Sequence, residues 1–208
     1  MFRDRKDAAL QLAEALDKYK GQDTLVLGIP RGGAETGYYV ARHLGAAFSL
    51  LISRKLGHPA NPEYAVGALA EDGSIYLNET AINRVTEEEF ERLVAQQEKE
   101  IEIRKQKLRK GKPLPDIRNK TVILVDDGIA TGSTLFAAIS MCKKQGAAKI
   151  VVAAPVSGKE MESKLFQVVD DVVILFVPQK YHSVSQAYIN FYNLSDEEAL
   201  DFWSKFNE

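Results

Sequence analysis

Apolar positions along this chain follow two rhythms. Short unbroken runs at residues 24–29, 47–52, 122–125, 149–156 and 172–177 read as buried strands. Between them apolar residues recur every three or four positions. Ala8, Ala9, Leu12, Ala13 and Leu16 mark a helix over residues 5–19, and residues 34–44, residues 135–144 and a segment starting near Ser157 follow the same spacing. Strands that alternate with helices specify an α/β fold: an open, mainly parallel sheet flanked by helices, with right-handed crossovers.

Two segments break the alternation. Residues 64–77 suggest a hairpin that turns at Glu71, Asp72 and Gly73, and Thr86 then caps a long charged helix reaching about Arg109, ended by Gly111, Pro113 and Pro115. The stretch 178–208 is rich in aromatics, with Tyr181, Tyr188, Phe191, Tyr192, Phe202 and Trp203, and reads as a hood over the sheet. Its last helix opens on the capping pair Ser195 and Glu198. With 208 residues the expectation is a single domain, 1–208, with a core over about 5–177, an insertion over about 60–115 and the hood over about 178–208.

Composition narrows the partners. Apolar residues make up 45% and charged residues 27%, which suits a globular protein, and a net charge of −2 spread along the chain gives no reason to expect nucleic acid or a membrane as partner. Cys142 is the sole cysteine, so no internal disulfide can form; on a predicted helix it reads as a core thiol. The charged start, Arg3, Asp4, Arg5 and Lys6, does not resemble a signal peptide, and a cytoplasmic location is expected. Cys and His form no metal-binding cluster in the sequence.

The chemistry concentrates in residues 121–134, TVILVDDGIATGST. A buried strand ends in Asp126 and Asp127, and a small turn then leads into a helix. Gly132 lets the backbone approach an anion, Ser133 and Thr134 offer hydroxyls, and the helix start presents free N–H groups: a phosphate cradle. The aspartates cannot bind that phosphate. They suit sugar hydroxyls, or a metal reached through water, so a phosphorylated sugar is the ligand that fits. Ligands of open α/β sheets sit beyond the carboxyl ends of the strands, where the polar segments 30–33, 53–61 and 126–134 are expected to converge.

These residues carry a resemblance. VILVDDGIATGST resembles the phosphoribosyl-pyrophosphate motif of the type I phosphoribosyltransferases, and GIPRGG at residues 28–33 resembles that family's pyrophosphate loop. The segments RKLG (54–57) and NPEYAVGA (61–68) are similar to those of a less-characterised subgroup of about this length. The resemblance implies the type I fold and transfer of a 5-phosphoribosyl group from phosphoribosyl pyrophosphate to a nitrogenous acceptor, with a nucleobase as the expected class, and release of pyrophosphate. It implies that Asp126 and Asp127 hold the ribose hydroxyls, and that Gly128, Ala130, Thr131, Gly132, Ser133 and Thr134 surround the 5′-phosphate. Pro30, Arg31, Gly32 and Gly33 would meet pyrophosphate, with Arg54 and Lys55 as further cations and Lys55 the favoured catalytic one. Mg²⁺ would be carried by pyrophosphate, ribose oxygens and water rather than directly by the protein. The resemblance is also compatible with a homodimer.

The acceptor is not legible. Glu63, Tyr64, Tyr181 and His182 are the candidate contacts, and Ala130 stands where the 6-oxopurine branch carries an aspartate base, which disfavours hypoxanthine and guanine. The basic run Arg104 to Lys112 reads mostly as a solvated helix face, with Arg109 the residue best suited to a mobile flap. His58 reads equally as a loop residue or a substrate contact, and His43 as a partner of a helix end. A non-catalytic regulator of the same fold, binding the same donor or a nucleotide, is the alternative. A Walker-type hydrolase is disfavoured because GIATGST lacks the lysine beside its hydroxyl residue.

Overall fold

A computed structural model describes all residues 1–208. Its elements run α1 (Arg5–Ala15), β1 (Thr24–Gly28), α2 (Gly32–Leu44), β2 (Ala47–Leu50), β3 (Ser53–His58), β4 (Asn61–Ala70), β5 (Ile75–Leu77), α3 (Glu79–Ile82), α4 (Glu87–Arg109), β6 (Thr121–Val125), α5 (Ser133–Lys144), β7 (Lys149–Val156), α6 (Lys159–Leu165), β8 (Asp171–Phe176) and α7 (Asp196–Asn207). Five strands form a parallel sheet in the order β2-β1-β6-β7-β8. This is the mainly parallel, helix-flanked α/β sheet that the pattern predicts.

The period of two along each strand divides the interior. Val26, Ile123, Val125, Val151 and Ala153 face one core with residues of α1, α2, α4 and α7, while Leu25, Leu27, Val122, Leu124, Ile150 and Val152 face another with α5 and α6. Strands buried on both faces need continuous apolar runs, which is what the sequence supplies. Cys142 is fully buried on α5, and burial pushes its thiol up to about 12.

The inserted region differs from expectation at one point. Residues 53–61 were expected as a polar segment at the sheet end; residues 53–58 instead form β3, the partner of β4 in an antiparallel three-stranded sheet with β5. The reason is packing on a partner that the short run could not reveal: Leu56 is buried with Val66 and Leu69, while Arg54 and Lys55 keep their polar ends outside. The hairpin β4–β5 turns at Glu71 to Gly73 as predicted, with Gly73 at φ 84°. Thr86 caps α4 through a reciprocal pair with Glu89.

The flap reading of Arg109 is overturned. Its side chain is 0% exposed, its Nη2 pairs with Glu71, and its Nη1 donates to the Leu50 carbonyl at 3.1 Å. Glu71 also accepts from the Ile52 amide at 2.9 Å. Ile101 and Leu108 are buried on the same helix. The basic run thus ends in an anchor, because one face of α4 needs a buried partner and the guanidinium finds both a carboxylate and a carbonyl there.

Candidate functional site

The site forms where β1 and β6 end side by side. These strands pair in parallel from Thr24 against Thr121 to Gly28 against Val125, so the turn after β1 and the turn after β6 emerge together. The Ile29 amide donates to the Val125 carbonyl at 2.8 Å. A methyl group added at Gly33 would stand 2.4 Å from the Val125 carbonyl oxygen, and one at Gly32 would stand 1.9 Å from Asp127 Oδ2. Only glycine permits that approach. The Pro30–Arg31 peptide is cis, and α2 begins at Gly32, two residues earlier than the apolar spacing indicated.

Beyond β6, Asp126 and Asp127 lie in a bend rather than in the strand. The Asp127 amide donates to Asp126 Oδ1 at 2.8 Å. Burial first, and the neighbouring Asp127 charge second, hold Asp126 well above the usual carboxylate range. Gly128 is pressed between Val156 and Val184, where a methyl group would come within 2.5 Å of Val184. The turn continues through Ala130 and Thr131 to Gly132, whose φ of 69° suits glycine, and α5 starts at Ser133. The predicted ribose carboxylates and phosphate turn are therefore contiguous, and the glycine loop rests against them.

The remaining candidates divide. Arg31 reaches Asp196 at the start of α7, 3.8 Å away. Arg54 donates to Gln97 on α4 at 3.0 Å, and Arg104 on the same helix is lowered by burial, by Arg54 and, more weakly, by Arg31, so these three arginines share one field. Lys55 reaches Glu63 Oε2 at 3.6 Å. Glu63 and Tyr64 lie on the β3–β4 hairpin, where their polar and aromatic partners are Lys55 and His58. His182 is exposed, its backbone amide bonded to Gln186 Oε1 at 2.7 Å.

Tyr181 comes to the site. It lies against Gly158 at the end of β7, its hydroxyl is buried without a partner, and burial together with the charges of Asp127 and Asp126 pushes its phenol up to about 12. An open cavity of about 970 Å³ is lined by Ala130, Thr131, Gly158, Lys159, Pro178 and Tyr181, among others.

Sequence reasoning missed Arg5 and Glu35 beside Asp127, and read Tyr188 only as one of the hood's aromatics. Arg5, at the start of α1, donates from Nε to Asp127 Oδ2 at 2.7 Å, and Tyr188 donates its hydroxyl to the Asp127 carbonyl at 2.5 Å. Glu35, buried on α2, stands 4.0 Å from Arg5 Nη1. No local signal could have found them, since the contact partners lie far apart along the chain.

The family model of the phosphoribosyl transferase domain matches residues 2–182. The chain belongs to this phosphoribosyl transferase family. The Mycobacterium tuberculosis protein named "Putative phosphoribosyl transferase Rv0571c" is 37% identical over 205 residues, which is 97% of this chain and 46% of that protein. The chain thus spans about half the length of the curated relatives it matches. The protein TT1426 from Thermus thermophilus is similar in structure, with a TM-score of 0.85 and 36% identity over 99% of this chain and 98% of that one. A purine phosphoribosyltransferase from Pyrococcus horikoshii shares the fold, with a TM-score of 0.52 and 20% identity over 92% of each chain. The type I phosphoribosyltransferase core is thus the fold of this chain.

Proposed function

We propose that this chain transfers a 5-phosphoribosyl group from phosphoribosyl pyrophosphate to a nitrogenous acceptor, with a nucleobase as the first class to test. One observation supports the reading above the others. The carboxylate pair Asp126 and Asp127 is flanked by the 32–33 glycine contact and by the turn that starts α5, so a sugar, its 5′-phosphate and a second anion are each met by a different group.

In this reaction the bond from C1 of the sugar to the pyrophosphate oxygen breaks, and pyrophosphate leaves with the electron pair. The acceptor nitrogen supplies the pair for the new C1–N bond and gives up a proton. The aspartates hold the ribose hydroxyls, residues 130–134 hold the 5′-phosphate, and the 30–33 loop with Arg31 and Arg54 faces the departing anion, while Lys55, drawn to Glu63 on the hairpin, would have to leave that partner to join them. The hood side excludes water from a cationic sugar that would otherwise be hydrolysed.

The donor set suits Mg²⁺. Asp126 and Asp127 would offer hard oxygen acceptors to the ion's waters, with pyrophosphate and ribose oxygens as its expected direct ligands. When bound, the ion neutralises charge on the leaving group.

The cavity beside Ala130 is the acceptor's place in this reading. A phenol held at about 12 stays protonated at neutral pH, so Tyr181 offers a buried donor to an acceptor heteroatom, and its ring offers a face for stacking. Ala130 supplies no carboxylate base there.

Asp126→Asn with Asp127→Asn is expected to abolish phosphoribosyl pyrophosphate binding while the far-UV spectrum stays native. Unchanged affinity in calorimetry would sink the site assignment. Pyrophosphate release on incubation with the donor, Mg²⁺ and a panel of nucleobases identifies the acceptor; binding without release from any of them favours a regulatory role for the same fold.

A further inference from the structure

We infer that Arg5 is a positioning residue for the sugar site: it fixes the Asp127 carboxylate and ties its orientation to the hood. The inference rests on the sugar-phosphate reading of Asp127 proposed above.

Arg5 is the first residue of α1 and is only 3% exposed. Asp4 caps that helix by accepting from the Asp7 amide at 2.8 Å, which fixes where the Arg5 side chain departs. From there the guanidinium meets four residues. Its Nε donates to Asp127 Oδ2 at 2.7 Å, and its Nη2 donates to the Tyr192 carbonyl, also at 2.7 Å. Its Cζ lies 4.4 Å from the Phe191 ring centre and 5.2 Å from that of Tyr192. Its Nη1 has no hydrogen-bond partner and faces Glu35 at 4.0 Å.

This arrangement serves Asp127 more than it serves α1. A buried guanidinium could be satisfied by Glu35 alone, yet the short bond goes to Asp127 and Glu35 is left at long range. Asp127 is thereby held on two sides, by Arg5 at Oδ2 and by the bare Cα of Gly32 against the same carboxylate. Oδ1 remains to accept from a sugar hydroxyl. The hood joins the same residue at its backbone, through the Tyr188 hydroxyl on the Asp127 carbonyl. The Phe2 amide donates to the Ala187 carbonyl and the Ile189 amide to the Phe2 carbonyl, each at 2.8 Å, so the segment leading into α1 is pinned to the hood as well. Carboxylate, α1 and hood therefore share one set of bonds, and none of the sequence motifs contains Arg5, Tyr188 or Tyr192.

The test compares two ligands, one with a sugar and one without. Calorimetry with phosphoribosyl pyrophosphate and with inorganic pyrophosphate, both with Mg²⁺, is run on the wild type, Arg5→Met and Arg5→Lys. With Asp127 misplaced, affinity for phosphoribosyl pyrophosphate is expected to fall about 10-fold to 100-fold in Arg5→Met. Inorganic pyrophosphate is expected to stay within about twofold, since its contacts are elsewhere, and Arg5→Lys to recover part of the loss by restoring a cation beside Asp127. Equal loss for both ligands reduces Arg5 to a general structural role and overturns the inference; so does no loss for either. Should Arg5→Met fail to fold, Arg5→Lys carries the same comparison, with selective loss of the sugar ligand as the supporting result. A wild type that binds pyrophosphate but not phosphoribosyl pyrophosphate overturns the sugar-site reading itself, and this inference with it.

Discussion

Asp126 is held where a carboxylate is least comfortable. Burial and the Asp127 charge raise it well above the usual range, so the folded chain keeps a proton there that the unfolded chain releases. The sign follows: this contribution is intact below the ordinary carboxylate range, and stability declines as pH rises from that range through the raised value. Asp126→Asn keeps an acceptor for the Asp127 amide and removes the titration. It is expected to raise the melting temperature at pH 7. Affinity for the sugar donor should fall in the same variant. Thermal melts of wild type and variant at pH 5 and pH 8 check it, and a gap between the two that does not widen in the variant's favour towards pH 8 would contradict the assignment. The sequence exposed this residue because strand, carboxylates and turn are adjacent in 121–134, where spacing alone carries the meaning. It hid Arg5, whose contact with Asp127 spans 122 positions. It also offered Glu63 and Tyr64 on equal terms with Tyr181, because linear order places all three near glycine or proline and only packing brings Tyr181 against Gly158.

Among the elements, α4 shows why charge patterns mislead. Its residues between Glu87 and Arg109 are mostly charged, and the eye takes the whole helix for a solvated rod. The buried side is carried by few residues, Ile101, Leu108 and Arg109, the last of which is polar and so escapes an apolar count. Arg109 reaches back to Glu71 and to the Leu50 carbonyl, locking the inserted hairpin and β2 to the end of the helix. Arg109→Met is expected to leave Glu71 buried and unpaired and to cost about 3–5 kcal/mol. Adding Glu71→Gln, which can still accept from the Ile52 amide, should return a large part of it. Urea titrations of the single and double variants check this, and equal loss in both would mean that the pair does not act as one unit. Strand β3 escaped notice for a related reason: its sequence SRKLGH holds a single buried residue, Leu56, so only the register with β4 reveals a strand. The core strands were legible because burial on both faces writes an unbroken apolar run.

Over the whole molecule, one buried cluster takes residues from α1, the central sheet, β3, α4 and α7, including Trp203 at 3% exposure. Such sharing makes separate melting of the hood costly. Fluorescence of Trp203, the chain's single tryptophan, and reaction of its single thiol, Cys142, lie on opposite faces of the sheet and are expected to report the same urea midpoint. Two distinct midpoints would show that the hood and the sheet part company, against the single-domain expectation. The bonds that tie Phe2 to Ala187 and Arg5 to the Tyr192 carbonyl have a kinetic meaning too. Each closes nearly the full length of the chain, and long closures bring their entropy cost before any reward. During refolding β6, β7 and β8 are free to assemble from neighbouring segments, β1 joins β6 across the insertion, and the surroundings of Asp127 wait for both ends of the chain to meet, so competence for the proposed sugar ligand is expected to be the last property to return.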